Sequence, residues 1–187
     1  MGVLMQVYEA LKRGALHIED DFFPPEVFKN IQHDLVHQKR SFVPSFQPFH
    51  DSYYNRFSAY PCHEFTTKKY DQHAFDKISF ILGCKIKNFS SFFRKTYTAE
   101  LKKSPQVNGK YGFLHYDDNE FAAVVYFDDS LHNGTGFYNK WYEKVPYTEV
   151  GAFPNRIVVY HGRRFHSICT DHNLECSTRF LCFFDKE

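Results

Sequence analysis

The chain has 187 residues, of which 43% are hydrophobic and 24% charged, and its formal net charge at pH 7 is +1. This composition is typical of one soluble globular domain and excludes intrinsic disorder. The near-neutral charge argues against a DNA-coating protein or a polybasic membrane protein. Phe, Tyr and Trp together make up 19% of the residues. Because aromatic side chains favour strands, we predict a β-rich core.

The cysteines and the N-terminal residues bear on the compartment. The number of cysteines, five, is odd, and neither a disulfide framework nor a zinc ribbon fits their spacing. The N-terminal stretch lacks the long apolar segment and cleavage site of a signal peptide, and no apolar run is long enough to span a membrane. We therefore predict a cytoplasmic protein whose cysteines act as small buried hydrophobic residues.

Residues 1–84 are predicted to form a helical and irregular part that packs on the core of a single domain. Helix patterns cover Val3–Lys12 and Asp71–Leu82, the second ending at Gly83. A strand is predicted over Ala15–Ile18. Acidic residues followed by two prolines are a helix-start signal and predict a helix over Pro25–Val36.

The segment Gln38–Thr67 is aromatic and contains three prolines, Pro44, Pro48 and Pro61. Prolines interrupt regular structure, so we predict an irregular excursion. Its length exceeds that of an ordinary loop, which leaves two interpretations open: it carries substrate contacts, or it packs on the domain as a compact loop.

From residue 85 onward, short strand-like runs alternate with turns and no helix pattern intervenes. This arrangement is typical of a barrel or a double-sheet jelly roll. The predicted strands are Phe89–Thr98, Tyr111–Tyr116, Phe121–Phe127, Thr135–Tyr138, Tyr147–Phe153, Arg156–Tyr160, Phe165–Cys169 and Thr178–Phe184. We therefore predict a mainly β fold with N-terminal helices and a jelly-roll core over residues 85–187.

One short motif, His115-Tyr116-Asp117, points to a metal. Residues i and i+2 of a strand share a face, so His115 and Asp117 can grip one ion from a single strand end. A third ligand must come from elsewhere, and the residues alone leave three candidates: His161, His166 and His172. Two histidines and one carboxylate on one face form the facial triad of non-heme iron(II) oxygenases.

Six short segments of the chain carry a family resemblance through their order and spacing. They are HYD (115–117), FAAVVYFDD (121–129), GTGF (134–137), PNRIVVY (154–160), FHS (165–167) and STRFLCFFD (177–185). In this order and spacing they resemble the 2-oxoglutarate- and iron(II)-dependent dioxygenases, on the prolyl-hydroxylase side of that superfamily. The segment HIEDDFFPPEVFKNI (17–31) resembles, more weakly, the strand and helix with which these enzymes begin.

The resemblance implies a double-stranded β-helix and a set of site residues. It selects His166 as the third iron ligand beside His115 and Asp117. It places Arg179 and Tyr126 at the distal carboxylate of 2-oxoglutarate. The implied reaction consumes O2 and 2-oxoglutarate and hydroxylates an unactivated C–H bond of a peptidyl (prolyl-type) or small amino-acid-like substrate.

Other interpretations remain at this point. A non-oxidative cupin-type metal enzyme or a binding module with a vestigial metal site would need neither Arg179 nor Tyr126. A zinc hydrolase is disfavoured because no H-E-x-x-H is present. Three arginines are predicted near the mouth of the β core: Arg156, Arg163 and Arg164. They either are solvated or face an anionic or amide-rich substrate. We expect a peptide or small-molecule substrate, no membrane contact and no nucleic-acid partner; the sequence predicts no oligomeric state.

Overall fold

The computed structural model describes residues 4–37, 42–51, 56–101, 114–169 and 173–187. These residues form four helices and ten strands. The helices are α1 (Leu4–Lys12), α2 (Pro25–His37), α3 (Asp71–Leu82) and α4 (Thr98–Leu101). The strands are β1 (His17–Glu19), β2 (Val43–Asp51), β3 (Arg56–Phe65), β4 (Ile86–Tyr97), β5 (Phe121–Tyr126), β6 (Ser130–Tyr138), β7 (Thr148–Ala152), β8 (Ile157–His161), β9 (Phe165–Ile168) and β10 (Cys176–Lys186).

The strands form two antiparallel sheets. The larger sheet has seven strands in the order β1-β8-β5-β10-β4-β3-β2, and the smaller has the order β7-β6-β9. His115 pairs with His166 of β9 as a single bridge residue and so extends the smaller sheet by one position. Two sheets with this crossed strand order form a jelly roll. The predicted mainly β, jelly-roll fold class is confirmed.

The larger sheet is covered on both faces. Its inner face lies against the smaller sheet and its outer face lies against the helices. On β8, Val158 and Tyr160 belong to the inner cluster, whereas Ile157 and Val159 belong to the outer one. This alternation follows from the two-residue period of a strand. The buried residues of the inner cluster are Ala122, Val124, Tyr126, Phe137, Val150, Ala152, Val158, Tyr160 and Leu181.

The helices bury apolar stripes on the outer face. Ile31 and Leu35 of α2 are buried, and α3 buries four residues at helical spacing, from Ala74 to Leu82. Gly83 ends α3 with a φ of 65°, in the left-handed conformation that glycine adopts without strain. The predicted helix over 71–82 is confirmed. None of the helices in the described ranges is long and apolar enough to cross a membrane.

The prediction of an irregular excursion over Gln38–Thr67 is wrong. Most of this segment forms the antiparallel strands β2 and β3, which extend the larger sheet beyond β4. Pro44, Pro48 and Pro61 do not break the pairing because all three fall in the same alternate set of cross-strand pairs. A proline fits an antiparallel ladder in the set that exchanges no N–H···O bonds. Proline content alone therefore misled the prediction.

Smaller differences concern strand ends. Of the predicted strand Tyr111–Tyr116, residues 111–113 lie outside the described ranges, and His115 alone makes a bridge. The predicted strand Thr135–Tyr138 begins earlier, at Ser130, and the strand Ala15–Ile18 is observed as His17–Glu19. The short helix α4 follows β4 directly and was not predicted.

Candidate active site

The predicted metal ligands lie together between the sheets. One ligand atom from each of His115, Asp117 and His166 can be chosen so that all lie within 4.8 Å of one another. Nε2 of His115 is 3.9 Å from Oδ1 of Asp117, and Nε2 of His166 is 3.5 Å from Oδ2 of Asp117. Two imidazoles and one carboxylate at this separation could bind a metal ion.

Backbone contacts hold the three residues in place. His115 and His166 exchange N–H···O bonds of 2.9 and 2.8 Å in both directions, which fixes their pairing across the smaller sheet. The N–H of Asp117 donates to the carbonyl oxygen of Gly162 at 2.8 Å. A Cβ at Gly162 would lie 2.1 Å from the carbonyl oxygen of Asn119, so only glycine allows this close approach. The turn after β8 thereby fixes the position of Asp117.

The hydrogen bond of His166 leaves one ring nitrogen for a metal. Its Nδ1 lies 2.9 Å from the carbonyl oxygen of Arg164, so Nδ1 carries the proton and donates it. Burial lowers the pKa of His166 to about 4, which keeps the imidazole neutral at physiological pH. The Nε2 lone pair therefore points toward Asp117 in the form that a metal requires.

Asp117 is a buried carboxylate. Burial raises its pKa, and electrostatic interactions with His115 and Arg94 oppose that rise. Ionising a carboxylate away from water costs free energy unless a cation compensates it. A divalent cation held by Asp117 with His115 and His166 would supply that compensation. The donor set and its burial thus fit iron(II).

The structure separates one other histidine candidate, His161, from this cluster. The ring of His161 lies 5.6 Å from that of Phe121, a residue of the outer cluster, and its Nδ1 accepts a 3.3 Å hydrogen bond from the N–H of Arg163. It is the last residue of β8, one residue beyond the end of the predicted strand Arg156–Tyr160. His172 lies outside the described ranges. Of the two candidates within the described ranges, His166 is the one that lies with His115 and Asp117.

Arg179 and Tyr126 are opposite each other on β10 and β5 and are both buried. The guanidinium carbon of Arg179 is 5.9 Å from the centre of the Tyr126 ring. Its Nη2 makes long contacts of 3.2 to 3.4 Å with backbone carbonyl oxygens, while its buried Nε has no hydrogen-bond partner among the described residues. None of the ion pairs in the described ranges includes Arg179. A buried guanidinium with an unsatisfied N–H fits an anionic ligand.

The hydroxyl of Tyr126 is also poised as a donor. It lies 2.7 Å from Oγ1 of Thr135. Burial raises the pKa of Tyr126 to about 12, so the hydroxyl keeps its proton. Arg179, Tyr126 and Thr135 together present donors to one region of the inner face.

Two functional candidates on the inner face, Arg94 and Glu64, were not predicted from the sequence. Tyr126, Arg179, Arg94 and Glu64 are successive cross-strand neighbours on β5, β10, β4 and β3. We call these four residues the polar row. Nε and Nη2 of Arg94 donate to the same oxygen of Glu64 at 3.0 and 2.7 Å. The period of β4 places Arg94 on the face of Phe92, but Glu64 lay in the segment predicted to be irregular.

Tyr160 was the third residue missed. Its hydroxyl lies 3.2 Å from Nε2 of His166 and 3.5 Å from Oδ2 of Asp117. The sequence indicated it only as the end of an apolar strand. Alternation along β8, which puts Tyr160 two residues after the inner Val158, was the available signal.

No protein-family model matches the chain, and no curated protein sequence does. Solved structures do match. A prolyl-4-hydroxylase from Pseudomonas putida has 14% sequence identity and a TM-score of 0.62, with 99% of this chain and 100% of that chain covered. A prolyl hydroxylase from Trichoplax adhaerens, in complex with a peptide fragment of the hypoxia inducible factor oxygen degradation domain, has 11% identity, a TM-score of 0.65, and 95% and 86% covered.

A third match is the alpha ketoglutarate-dependent epimerase SnoN from nogalamycin biosynthesis, with 9% identity, a TM-score of 0.67, and 97% of this chain and 81% of that chain covered. These structures share one architecture with the present chain. The chain has the fold of the 2-oxoglutarate/iron(II) oxygenases. At such low identities the likeness establishes the fold, and the chemistry must be argued from the site.

Within this oxygenase fold, the three arginines predicted near the mouth have different surroundings. Arg156 forms a forked ion pair with Asp20 at 2.6 and 2.9 Å. Arg163 is exposed, and its guanidinium carbon lies 5.2 Å from the centre of the ring of Tyr116, which lies between the candidate ligands His115 and Asp117 in the sequence. Arg164 packs against the rings of two aromatic residues and supplies the carbonyl oxygen that orients His166. Of the three, Arg163 is the one that is exposed.

Proposed function

We propose that the protein is an iron(II)- and 2-oxoglutarate-dependent dioxygenase. Its substrate would carry the reacting C–H bond on a peptidyl, prolyl-type residue or on a small amino-acid-like molecule. The observation that carries the proposal is the cluster of His115, Asp117 and His166 inside a fold shared with such oxygenases. Two imidazoles and one carboxylate would hold one face of the ion and leave three positions open.

The second support is the buried cationic end of the site. 2-Oxoglutarate has a distal carboxylate that needs a cation and a hydroxyl donor when it leaves water. Arg179 and Tyr126 are adjacent on the inner face, and Arg179 has a buried N–H without a partner among the described residues. A guanidinium binds a carboxylate through two parallel N–H···O bonds. These two residues would therefore hold the cosubstrate.

When bound, iron(II) and 2-oxoglutarate supply an O2-dependent decarboxylation that yields succinate and CO2 and is coupled to hydroxylation of the substrate. The side chains of this protein would position those groups. The hydrogen bond from Nδ1 of His166 to Arg164 fixes the ring so that Nε2 faces the site. The buried inner cluster, including Val124 and Phe137, would keep bulk water away.

The substrate side of the proposal rests on the fold. Two of the matching structures are prolyl hydroxylases, one of them in complex with a peptide fragment. They favour a peptidyl or amino-acid-like substrate over a nucleic acid, as does the net charge of +1.

The experiment begins with the metal-free protein under nitrogen. Iron(II) and 2-oxoglutarate are added in turn and the visible spectrum is recorded. We expect a weak charge-transfer band only when both are present. Admission of O2 should then release succinate, and a panel of prolyl peptides and free amino acids should identify a stimulating substrate. His115→Ala should abolish the band, and His161→Ala should keep it.

The control experiments separate the other interpretations. A non-oxidative metal enzyme would bind iron(II) but give no band with 2-oxoglutarate. A binding module with a vestigial site would release no succinate with any substrate. Either result would contradict the proposal.

A further inference from the structure

Two arginines stand side by side on the inner face. Arg94 of β4 and Arg179 of β10 are directly opposite in the register. Like charges in opposite positions on adjacent strands destabilise a sheet. Glu64 forms an ion pair with Arg94, but no carboxylate in the described ranges pairs with Arg179. The arrangement is costly for the fold alone, which points to a use for both cations.

One terminal nitrogen of the Arg94 guanidinium is available to a ligand in the candidate active site. Its Nε and Nη2 are engaged by Glu64, and its guanidinium carbon lies 5.1 Å from the centre of the Phe92 ring. Nη1 has no hydrogen-bond partner among the described residues, and the side chain keeps 14% of its surface exposed. Glu64 thus orients the guanidinium and leaves one edge of it accessible.

Arg94 belongs to the face of the larger sheet that faces the proposed metal ligands. It is opposite Arg179, which is opposite Tyr126 of the inner cluster. Tyr160 of the same cluster lies 3.2 Å from Nε2 of His166 and 3.5 Å from Oδ2 of Asp117. A ligand held by Arg94 would consequently lie on the face that borders the position proposed for iron.

An apolar wall continues from Arg94 along the same face. Phe92 is two residues earlier on β4 and stacks on Phe183 of β10, with ring centres 5.8 Å apart. Both side chains are only partly buried and pack against the inner cluster. The wall and the polar row together suit a small molecule with a charged end and a short apolar body.

The geometry points to a free α-amino acid as the substrate, with Arg94 binding its carboxylate and the neighbouring Glu64 facing its ammonium group. This inference rests on the proposed function and narrows it, since an internal residue of a peptide carries neither charge. Opposite charges side by side complement a zwitterion. Arg179, which forms no ion pair within the described ranges and has Tyr126 beside it, is left for 2-oxoglutarate.

The test uses the full-length protein loaded with iron(II) and 2-oxoglutarate under nitrogen. The probes are the common L-amino acids and their carboxamides, titrated by calorimetry. We expect at least one free amino acid to bind and its carboxamide to bind at least about tenfold more weakly, because the amide lacks the charge that Arg94 pairs with. Arg94→Gln should weaken binding of that amino acid by a similar factor.

Two further variants complete the design. Lys95→Gln removes a cation from the neighbouring position, which points to the opposite face, and should leave amino-acid binding unchanged. Arg94→Lys keeps the charge but loses the planar fork, and should bind the amino acid with intermediate affinity. Melting curves of all variants show whether each one folds. If Arg94→Gln does not fold, Arg94→Lys still tests the role of Arg94.

The outcomes distinguish this inference from the proposed function. Iron(II) and 2-oxoglutarate affinities are measured first in wild type and Arg94→Gln, and the loss of amino-acid affinity in the variant should exceed any change in either. If those ligands bind and succinate forms, but no amino acid binds or the carboxamides bind equally well, the inference is overturned while the proposed function stands. If iron(II) or 2-oxoglutarate fails to bind, the proposed function is wrong, and the same titrations of the metal-free protein still decide the role of Arg94.

Discussion

The hydroxyl of Tyr160 lies 3.2 Å from Nε2 of His166, the ring nitrogen that faces Asp117. The same hydroxyl is 3.5 Å from Oδ2 of Asp117. Because burial raises the pKa of Tyr160 well above its usual value, the group stays protonated and can donate. If Nε2 of His166 held a metal, Asp117 would be the acceptor for that proton. Tyr160 would then orient the carboxylate ligand.

Tyr160→Phe is expected to weaken iron(II) binding by roughly tenfold, because removing a group that orients a metal ligand typically costs 10- to 100-fold in affinity. Competition with a chelating dye measures it. The matched control is Tyr138→Phe, which removes another buried hydroxyl, bonded to Oγ of Ser167 at 3.0 Å. Equal losses of affinity in the two variants would show that Tyr160 acts only on stability.

His166→Ala should abolish iron(II) binding, whereas His161→Ala should retain it. The reason is position: His166 lies with Asp117 between the sheets, and His161 lies beside Phe121 on the outer face. Isothermal titration with iron(II) under nitrogen provides the measurement. Loss of binding in His161→Ala alone would mean that the cluster is not the metal site.

Arg179→Gln should raise the dissociation constant of 2-oxoglutarate by about 10- to 150-fold, corresponding to roughly 1.5–3 kcal/mol for hydrogen bonds to a charged group. Iron(II) affinity should be unchanged, since Arg179 contacts none of the three proposed ligands. Calorimetry on the iron-loaded variant measures both constants. An unchanged 2-oxoglutarate affinity with a lower melting temperature would assign Arg179 a purely structural role.

Gly162→Ala should destabilise the fold by about 3 kcal/mol or more, because the new Cβ would meet the carbonyl oxygen of Asn119 at 2.1 Å and backbone cannot move aside cheaply. Urea unfolding measures the loss. Gly151→Ala serves as the control, since its nearest contact would be 3.1 Å and needs only a small adjustment. Comparable stabilities of the two variants would contradict the described turn.

The loss of folding stability at acid pH should depend on the carboxylate of Asp34. Lys69 at 2.7 Å and Tyr70 at 2.5 Å bond its carboxylate, and these hydrogen bonds hold its pKa below the ordinary value. A native pKa below the unfolded one means that the ionised group stabilises the protein above about pH 4, and that this stability disappears as the pH falls through the native pKa.

Asp34→Asn should therefore lower the melting temperature at pH 7 by ~2–4 °C, the equivalent of about 1 kcal/mol, and should flatten its decline below pH 4. Melting curves between pH 3 and 7 test this. Glu9→Gln, a change at an exposed residue of α1, is the control and should follow the wild type. Parallel curves for Asp34→Asn and wild type would refute the prediction.

Much of the candidate site could be proposed from local sequence patterns. The spacing of His115 and Asp117 is a property of one extended segment, so it could be interpreted without the fold. Selecting His166 required the order of segments along the chain, because spacing alone also allowed His161. The strand containing His161 extends one residue further than the pattern suggested, which places that side chain on the outer face.

The polar row could not be predicted in the same way. Arg94 and Glu64 meet only because β3 pairs with β4, a contact between distant parts of the chain. Predicting it required recognising β3 as a strand, and the prolines in that segment argued against one. Tyr160 was missed for a related reason: an apolar run shows which residues are buried but not which hydroxyl faces a metal ligand.

The proline pattern of β2 has a consequence for solubility. Among the described strands, β2 forms one of the two borders of the larger sheet, where unpaired amides could recruit a strand from another molecule. A residue in a pair without N–H···O bonds directs its own nitrogen away from its neighbour, toward that border. Pro44 and Pro48 have no hydrogen on that nitrogen, so the border lacks two of the donors that a docking strand would use. Pro44 and Pro48, two of the prolines that argued against a strand here, therefore make this border of the sheet less able to pair with another molecule.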